Sequence, residues 1–364
     1  MFENDRRIVM TLDAGGTNFV FSAIQGCKEI IEPIRLDAVN NDVDRCLEVL
    51  VNGFQTVKEK LNEEPVAISF AFPGPADYTA GIIGDLPNFP CFRGGIAMGP
   101  YLEDVFGIPV FINNDGNLFA YGEALSGALP YINTKLEEAG STKRYNNLIG
   151  LTLGTGFGGG VVINETLLTG DNGCGGDVWL MRNSRYNTMI AEESVSIRAV
   201  KRHYHEKAPE DGRDLSPKDI FDIAEGILEG NREAAVFAFE ELGTVAADAI
   251  ASALNIVDGI VVIGGGLAGA SKHIIPALVM QLNTHLTTFS NAQIKCLQMN
   301  VHDLTTDEGL AELLKDKSTL IKVNKEKTVR YNQDKKTGVM VSFLGASTAI
   351  SLGAYSYALK QLDN

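Results

Sequence analysis

No apolar run in the 364 residues approaches the ~20 consecutive residues that a membrane-spanning helix requires. The opening residues, Met1-Phe2-Glu3-Asn4-Asp5-Arg6-Arg7, put charges where a secretory signal would hold its apolar segment. Cysteine is sparse: Cys27, Cys46, Cys91, Cys174 and Cys296 are scattered, and no Cys-x-x-Cys pair occurs. That spacing offers no metal framework and fits a reducing cytoplasm. Positive charge is also short, with 31 Lys and Arg against 46 Asp and Glu, a formal charge of −15. Such a surface repels phosphate backbones, so nucleic acid is not an expected partner, and neither is a membrane. What remains is a chain of 45% apolar residues, ordinary for a globular protein. It is too long for one ordinary core and suits two domains. The expected partners are small molecules in the cytoplasm, with a homodimer left open.

Glycine, by contrast, recurs between apolar runs. Arg7–Leu12 and Phe19–Ile24 read as antiparallel strands around Asp13-Ala14-Gly15-Gly16-Thr17-Asn18. Gly suits such a turn because it tolerates positive φ. A plain hairpin has no use for an aspartate before the glycines and a hydroxyl after them. A turn of free N–H groups beside a carboxylate suits a polyphosphate with its magnesium ion, Asp13 taking the metal, usually through water. On its own this turn is as readily an ornament as a phosphate loop. A second copy tips the balance: Leu148–Leu153, then Gly154-Thr155-Gly156-Phe157-Gly158-Gly159-Gly160, then Val161–Ile163. Here Gly154 stands where the aspartate was. Two such loops, one with a carboxylate, point to a nucleotide held between two halves of a duplicated fold.

Between and beyond these loops the chain reads as alternating strands and helices. Glu29–Arg35 is expected as a third strand, interrupted by Pro33. Val43, Leu47, Leu50, Phe54, Val57 and Leu61 fall at helical spacing, with Pro65 as the stop. Val66–Phe72 reads as a strand buried on both faces. Asn88, between Pro87 and Pro90, is either part of a rigid connector or an amide offered to a polyol. Val110–Ile112 leads into Asn113-Asn114-Asp115 and a helix, so Asp115 reads equally as an N-cap or as a base at a strand end. In the glycine-rich stretch after Leu167, Asp177 is the expected ligand. Glu192-Glu193-Ser194 is expected to open a helix, and His203-Tyr204-His205 to lie on its surface. Gly264-Gly265-Gly266 after the strand Gly259–Ile263 imitates a dinucleotide fingerprint. No acid follows before His302 to hold the ribose, so these glycines read as a platform for adenine and α-phosphate. Residues 315–340 read as a charged, solvated hairpin insertion, and Leu344–Leu362 as the closing helix.

With those motifs in order, the chain resembles the ROK family of sugar kinases, within the hexokinase and actin superfamily. The resemblance implies a two-lobed, duplicated α/β fold with a cleft. Residues 1–118 and 345–364 would form the small lobe and 119–344 the large one. It implies ATP and Mg²⁺ as cofactors. Asp13, Gly15, Gly16 and Thr17 would form the first phosphate loop, and Gly154, Thr155, Gly156 and Gly158 the second, with Gly264, Gly265 and Gly266 at the adenosine. Asn88, Asn114, Asp115, Asp177 and Glu192 would face the sugar, with Asp115 as catalytic base. A hexose or N-acetylhexosamine hydroxyl would be phosphorylated. The alternative is a sugar-sensing regulator or a non-catalytic binding protein on the same fold. A regulator's DNA-binding segment would precede the first loop, where Asp13 leaves no room.

Two departures stand out. Where the family has Glu-x-x-His, this chain has Asp177 and Leu180, with Trp179 in place of a Gly. Where the family has a cysteine-rich zinc site, Met181–Ile190 holds no cysteine, so no structural zinc is expected. Leu180 offers no hydrogen bond, and an unpaired buried hydroxyl costs ~1–3 kcal/mol. Glucose is therefore expected not to be the best substrate.

Overall fold

The computed structural model describes residues 2–14, 18–39, 41–86, 91–324 and 326–364. The chain divides into two compact units. The first is Met1–Ala128, Gly160–Gly176 and Phe343–Asn364, and the second is Leu129–Gly159 and Asp177–Ser342.

In the first unit, β1 (Val9–Ala14) and β2 (Asn18–Gln25) pair antiparallel, from Val9 opposite Ile24 to Ala14 opposite Phe19. The single third strand expected from the sequence is in fact two, β3 (Lys28–Glu29) and β4 (Ile34–Asp37), each paired with β2. Pro33 lacks the N–H that would have continued the ladder between them. Helix α1 (Val43–Lys60) starts where the Asp42 side chain accepts the N–H of Arg45 at 3.1 Å. It buries Cys46, Leu50, Phe54 and Val57 as one stripe, and ends at Lys60 before the proline can act. β5 (Ala67–Ala71) is buried at every position and runs parallel to β1, as an apolar run with no alternation should. A short ribbon, β6 (Ala76–Asp77) and β7 (Ile82–Ile83), and α2 (Met98–Phe106) lead to β8 (Val110–Asn113), parallel to β5. The sheet order is β3-β2-β1-β5-β8, with β4 also on β2. Aromatic rings fill its core, Phe21 meeting Phe54 edge to face at 5.1 Å.

Helix α3 (Asp115–Leu125) follows β8, and α4 (Ala128–Glu138) follows α3. The second unit then contributes β9 (Asn147–Leu153), from which a glycine turn leads into β10 (Phe157–Ile163). β10 pairs antiparallel with β11 (Thr166–Leu167). Helices α5 (Ile197–Lys207), α6 (Pro217–Ala224) and α7 (Arg232–Val257) lead to β12 (Ile260–Gly264) and α8 (Ser271–Leu282). A hairpin of β13 (His285–Thr287) and β14 (Gln293–Lys295) precedes β15 (Asn300–Asp303) and α9 (Asp307–Leu314). The insertion forms an exposed hairpin, β16 (Thr319–Lys322) against β17 (Thr328–Tyr331), before β18 (Lys336–Val341). β9, β12, β18 and β15 are parallel neighbours in that order.

The surface placement expected for His203 and Tyr204 is overturned. His203 is 2% exposed, edge-on to Phe237 of α7, and Tyr204 is fully buried. Helix α7 covers that face of α5, a contact no local pattern announces.

The chain returns to the first unit in α10 (Ala346–Leu362). Its crossing with α3 is backbone on backbone. A Cβ on Gly353 would lie 1.9 Å from the carbonyl oxygen of Leu118, and one on Gly122 would lie 1.9 Å from that of Ala349. In α3, buried Glu123 accepts the N–H groups of Ala128 at 2.9 Å, Leu344 at 3.1 Å and Phe343 at 3.3 Å. A buried carboxylate is tolerated where several donors surround it. Among the described residues no helix is long and apolar enough to cross a membrane.

Candidate active site

The first unit carries Asp115 at the junction of β8 and α3. Both Asn114 and Asp115 are good capping residues, but the cap is Asn114, whose Oδ1 accepts the N–H of Asn117 at 2.6 Å. Asn113, buried beneath, accepts the Asn114 N–H and the Asn117 Nδ2–H, both at 2.9 Å. Asp115 is thereby freed from the capping duty that would have explained it away. Its Oδ1 accepts the N–H of Gly116 at 2.9 Å. The carboxyl keeps solvent-accessible surface, yet protein atoms crowd it, and this crowding raises its pKa above the ordinary value. The N–H groups of Gly116 and Asp115 itself oppose the rise, and the Asp13 charge adds to it. Asp13 sits near the end of β1, opposite Val20. Gly15, Gly16, Thr17 and Asn88 lie outside the described residues.

The second unit carries the other glycine turn. Gly154 donates to the Gly156 carbonyl at 3.0 Å, Ile197 of α5 donates to the Gly154 carbonyl at 2.8 Å, and Arg198 Nη1 to the Thr155 carbonyl at 3.3 Å. The carbonyls are thus drawn toward α5, while the N–H groups of Thr155 and Gly156 donate to no described residue. Glu192 is not in a helix, as its sequence position suggested. It lies in a 3₁₀ turn, Ala191–Glu193, and α5 begins only at Ile197. Its Oε2 accepts the N–H of Phe157 at 3.0 Å, and its Oε1 lies 3.3 Å from Arg198 Nη2. A Cβ on Gly156 would stand 2.6 Å from Glu192 Oε2, so glycine there lets the carboxylate close onto the turn. Gly265 follows β12 with φ +86°, and a Cβ on it would meet the Leu153 carbonyl oxygen at 2.4 Å. Conformation and space both demand glycine there. Gly266 opens a 3₁₀ turn that runs into α8.

Asp177 precedes a 3₁₀ turn, Val178–Leu180, and its side chain makes no cap; Leu180 is 52% exposed. The following loop is stapled by buried Asn183. Its Nδ2 donates to Ser194 Oγ at 2.8 Å and to the Ile190 carbonyl at 3.2 Å. Its Oδ1 accepts the N–H groups of Arg185 at 3.0 Å and Tyr186 at 3.1 Å. Among the described residues no group of three or more His, Cys, Asp and Glu side chains is placed to hold a metal. Sequence reasoning missed Asn113, Asn183 and Arg198. The run of two asparagines before Asp115 was a usable signal for the first, whereas the others act through partners distant in sequence.

The sequence model of the ROK family matches residues 9–317. A glucokinase of Thermotoga maritima is 27% identical over 281 residues, 72% of this chain and 82% of that protein. The crystal structure of a glucokinase from Parabacteroides distasonis is 58% identical, has a TM-score of 0.90, and covers 99% of each chain. A ROK family glucokinase from Streptomyces griseus, solved with glucose and AMPPNP, is 17% identical with a TM-score of 0.62, covering 96% of this chain and 98% of that one. That likeness shows the fold alone, the mixed α/β hexokinase-like fold expected from the sequence. The enzyme is a carbohydrate kinase, and the chain belongs to the ROK family.

Proposed function

We propose that this enzyme transfers the γ-phosphoryl group of ATP, with magnesium, to a hydroxyl of a hexose or N-acetylhexosamine. The observation that carries this reading is Asp115: relieved of capping by Asn114, it stands as a carboxylate whose proton affinity is raised by its surroundings. Such a group is suited to take a hydroxyl proton as the sugar oxygen attacks phosphorus. Asn114 keeps its amide N–H₂ for a sugar hydroxyl, and Asp177 and Glu192 are the sugar-side acids of the second unit. Glu192 has both oxygens engaged but retains lone pairs, and it fixes the turn at Gly156 as well. The N–H groups of Thr155 and Gly156 are free to receive phosphate oxygens, with Gly264, Gly265 and Gly266 beneath the adenosine. Gly15, Gly16 and Thr17 would complete the phosphate cradle.

Asp13 fits a magnesium ion, being a hard oxygen ligand whose charge already works against that of Asp115. When bound, the ion supplies positive charge beside the phosphates.

The penalty expected against glucose assumed a buried Leu180. Leu180 is instead 52% exposed, so the premise of that penalty is not met. Glucose, named in the 58% identical relative, is therefore the first substrate to test. The experiment is a coupled assay for ADP over glucose, N-acetylglucosamine, N-acetylmannosamine, fructose and mannose, with and without chelator. Sugar-dependent ADP release that stops on chelation is the expected result. ATP left untouched with every sugar would refute the reading.

A further inference from the structure

The insertion has a use that the phosphoryl-transfer site does not absorb. Where it meets the segment before β9, a cavity of about 410 Å³ opens in the second unit. It lies at the starting ends of β9 and β18, whereas the glycine turns leave the opposite ends of β9 and β12. The length of β9 alone separates them by about 20 Å.

Five cations line it, Lys143, Lys315, Arg330, Lys335 and Lys336, against two carboxylates, Asp316 and Asp334. Those carboxylates are already claimed. Asp316 pairs with Arg330, and Asp334 lies 3.3 Å from Lys317 and 3.6 Å from Lys336. Lys315 pairs with Glu312 at 3.3 Å. Among the described residues, no carboxylate lies within ion-pair distance of Lys143 or Lys335.

Of these cations, Lys336 is buried and Lys143 half-buried. Lys336 is 5% exposed, and its ammonium donates to the carbonyls of Glu312 at 2.6 Å and of Lys315. The Lys143 ammonium donates to the Lys336 carbonyl at 3.1 Å and lies 4.3 Å from the centre of the Tyr145 ring. That leaves Lys143 with donor capacity and no counter-ion. Burial pushes both ammoniums below the usual lysine pKa; for Lys143, the charges of Lys336 and Lys335 add to this and Asp258 opposes it. Buried charge is ordinarily paired; Lys336 has Asp334 at 3.6 Å, whereas Lys143 has no carboxylate within ion-pair distance among the described residues. A chain of net charge −15 has concentrated unbalanced positive charge in one concave place.

We propose that this cavity is a second, remote binding site for a small phosphate-bearing anion, held by Lys143 and Lys335 with the Ser141 hydroxyl beside them. The volume exceeds that of a bare phosphate and admits a phosphorylated monosaccharide, so the shared group is the phosphate and the remainder of the ligand is decided by comparison.

The test is calorimetric titration of the full chain at constant ionic strength. Inorganic phosphate is one probe and glucose 6-phosphate the other, each with and without saturating AMPPNP and glucose. Saturable binding that persists when AMPPNP and glucose are present is expected. Tighter binding of the sugar phosphate assigns the larger ligand, and equal binding assigns phosphate alone. Lys143→Met, which keeps the aliphatic stem on Tyr145, should weaken binding by about 10-fold or more, the worth of one charge-assisted hydrogen bond. Lys335→Ala, at an exposed position, should do the same without threatening the fold. Neither variant should alter turnover measured without added phosphate. The proposal is overturned by binding no stronger than matched chloride, by loss of binding when AMPPNP and glucose are added, or by binding that neither variant weakens. The outcomes with Lys143→Met and Lys335→Ala are independent of which sugar the enzyme phosphorylates, and so separate a failure of this proposal from a failure of the proposed function.

Discussion

Gly353→Ala tests whether the α3–α10 crossing sets the position of Asp115. The added methyl would lie 1.9 Å from the Leu118 carbonyl oxygen, 2.7 Å from its carbon and 3.1 Å from the Gly122 nitrogen. All three are helix backbone, so no side chain can turn aside. The helices must part by about 1.1 Å before the methyl reaches even 3.0 Å from that oxygen. Overpacking of this kind costs ~1–3 kcal/mol, which lowers the unfolding midpoint of a chain of this length by roughly 1–4 °C. The same displacement moves α3, whose first residue is Asp115. A misplacement near 1 Å at a reacting group can cost ~10²-fold in rate. Thermal unfolding followed by circular dichroism, alongside kcat from the coupled assay at a temperature well below the midpoint, separates the two effects. A midpoint within a degree of wild type, or a destabilised enzyme whose kcat is unchanged, would refute the link between this crossing and the site.

Asp115→Asn should lower turnover by ~10²–10⁴, and wild-type kcat/KM should fall as pH drops through the raised Asp115 pKa. Because that folded-state pKa exceeds the unfolded one, Asp115 favours the fold only at low pH, and this contribution is lost as pH rises. The Asn variant should therefore unfold no earlier than wild type at pH 7; earlier unfolding there would contradict the assigned direction. Leu180→His should change catalytic efficiency for glucose by less than about 5-fold, since Leu180 is 52% exposed; a larger gain in the hexose panel would show that Leu180 is buried against the sugar. Elemental analysis of the purified protein should find no stoichiometric zinc, the Asn183 hydrogen bonds holding the loop instead; one zinc per chain, lost with activity on chelation, would disprove this.

How much of this was legible in the sequence depended on the range of the interaction. The α1 stripe and its Asp42 cap are local, and spacing alone places them. The strands flanking Gly154 are local too, but the second begins earlier than expected: β10 starts at Phe157 and takes Gly158, Gly159 and Gly160 into the strand instead of leaving them in the turn. Asp115 was visible as an acid at a helix start, but Asn114 caps as well as Asp does, and only geometry decides which of them is free. Glu192 looked like a helix-opening acid because its partner, the Phe157 N–H, is 35 positions away. His203 looked solvated because the face of α5 that carries it is covered by α7, a neighbour that α5 itself does not encode.

Glu123 has a consequence for the connectivity of the molecule. The chain passes between the units four times, first after Ala128 and last before Phe343. The N–H groups of both these residues end on this single carboxylate. Two crossings separated by more than 200 residues of sequence therefore share one fastener. Whatever removes the carboxylate takes this acceptor from the N–H groups at both crossings at once.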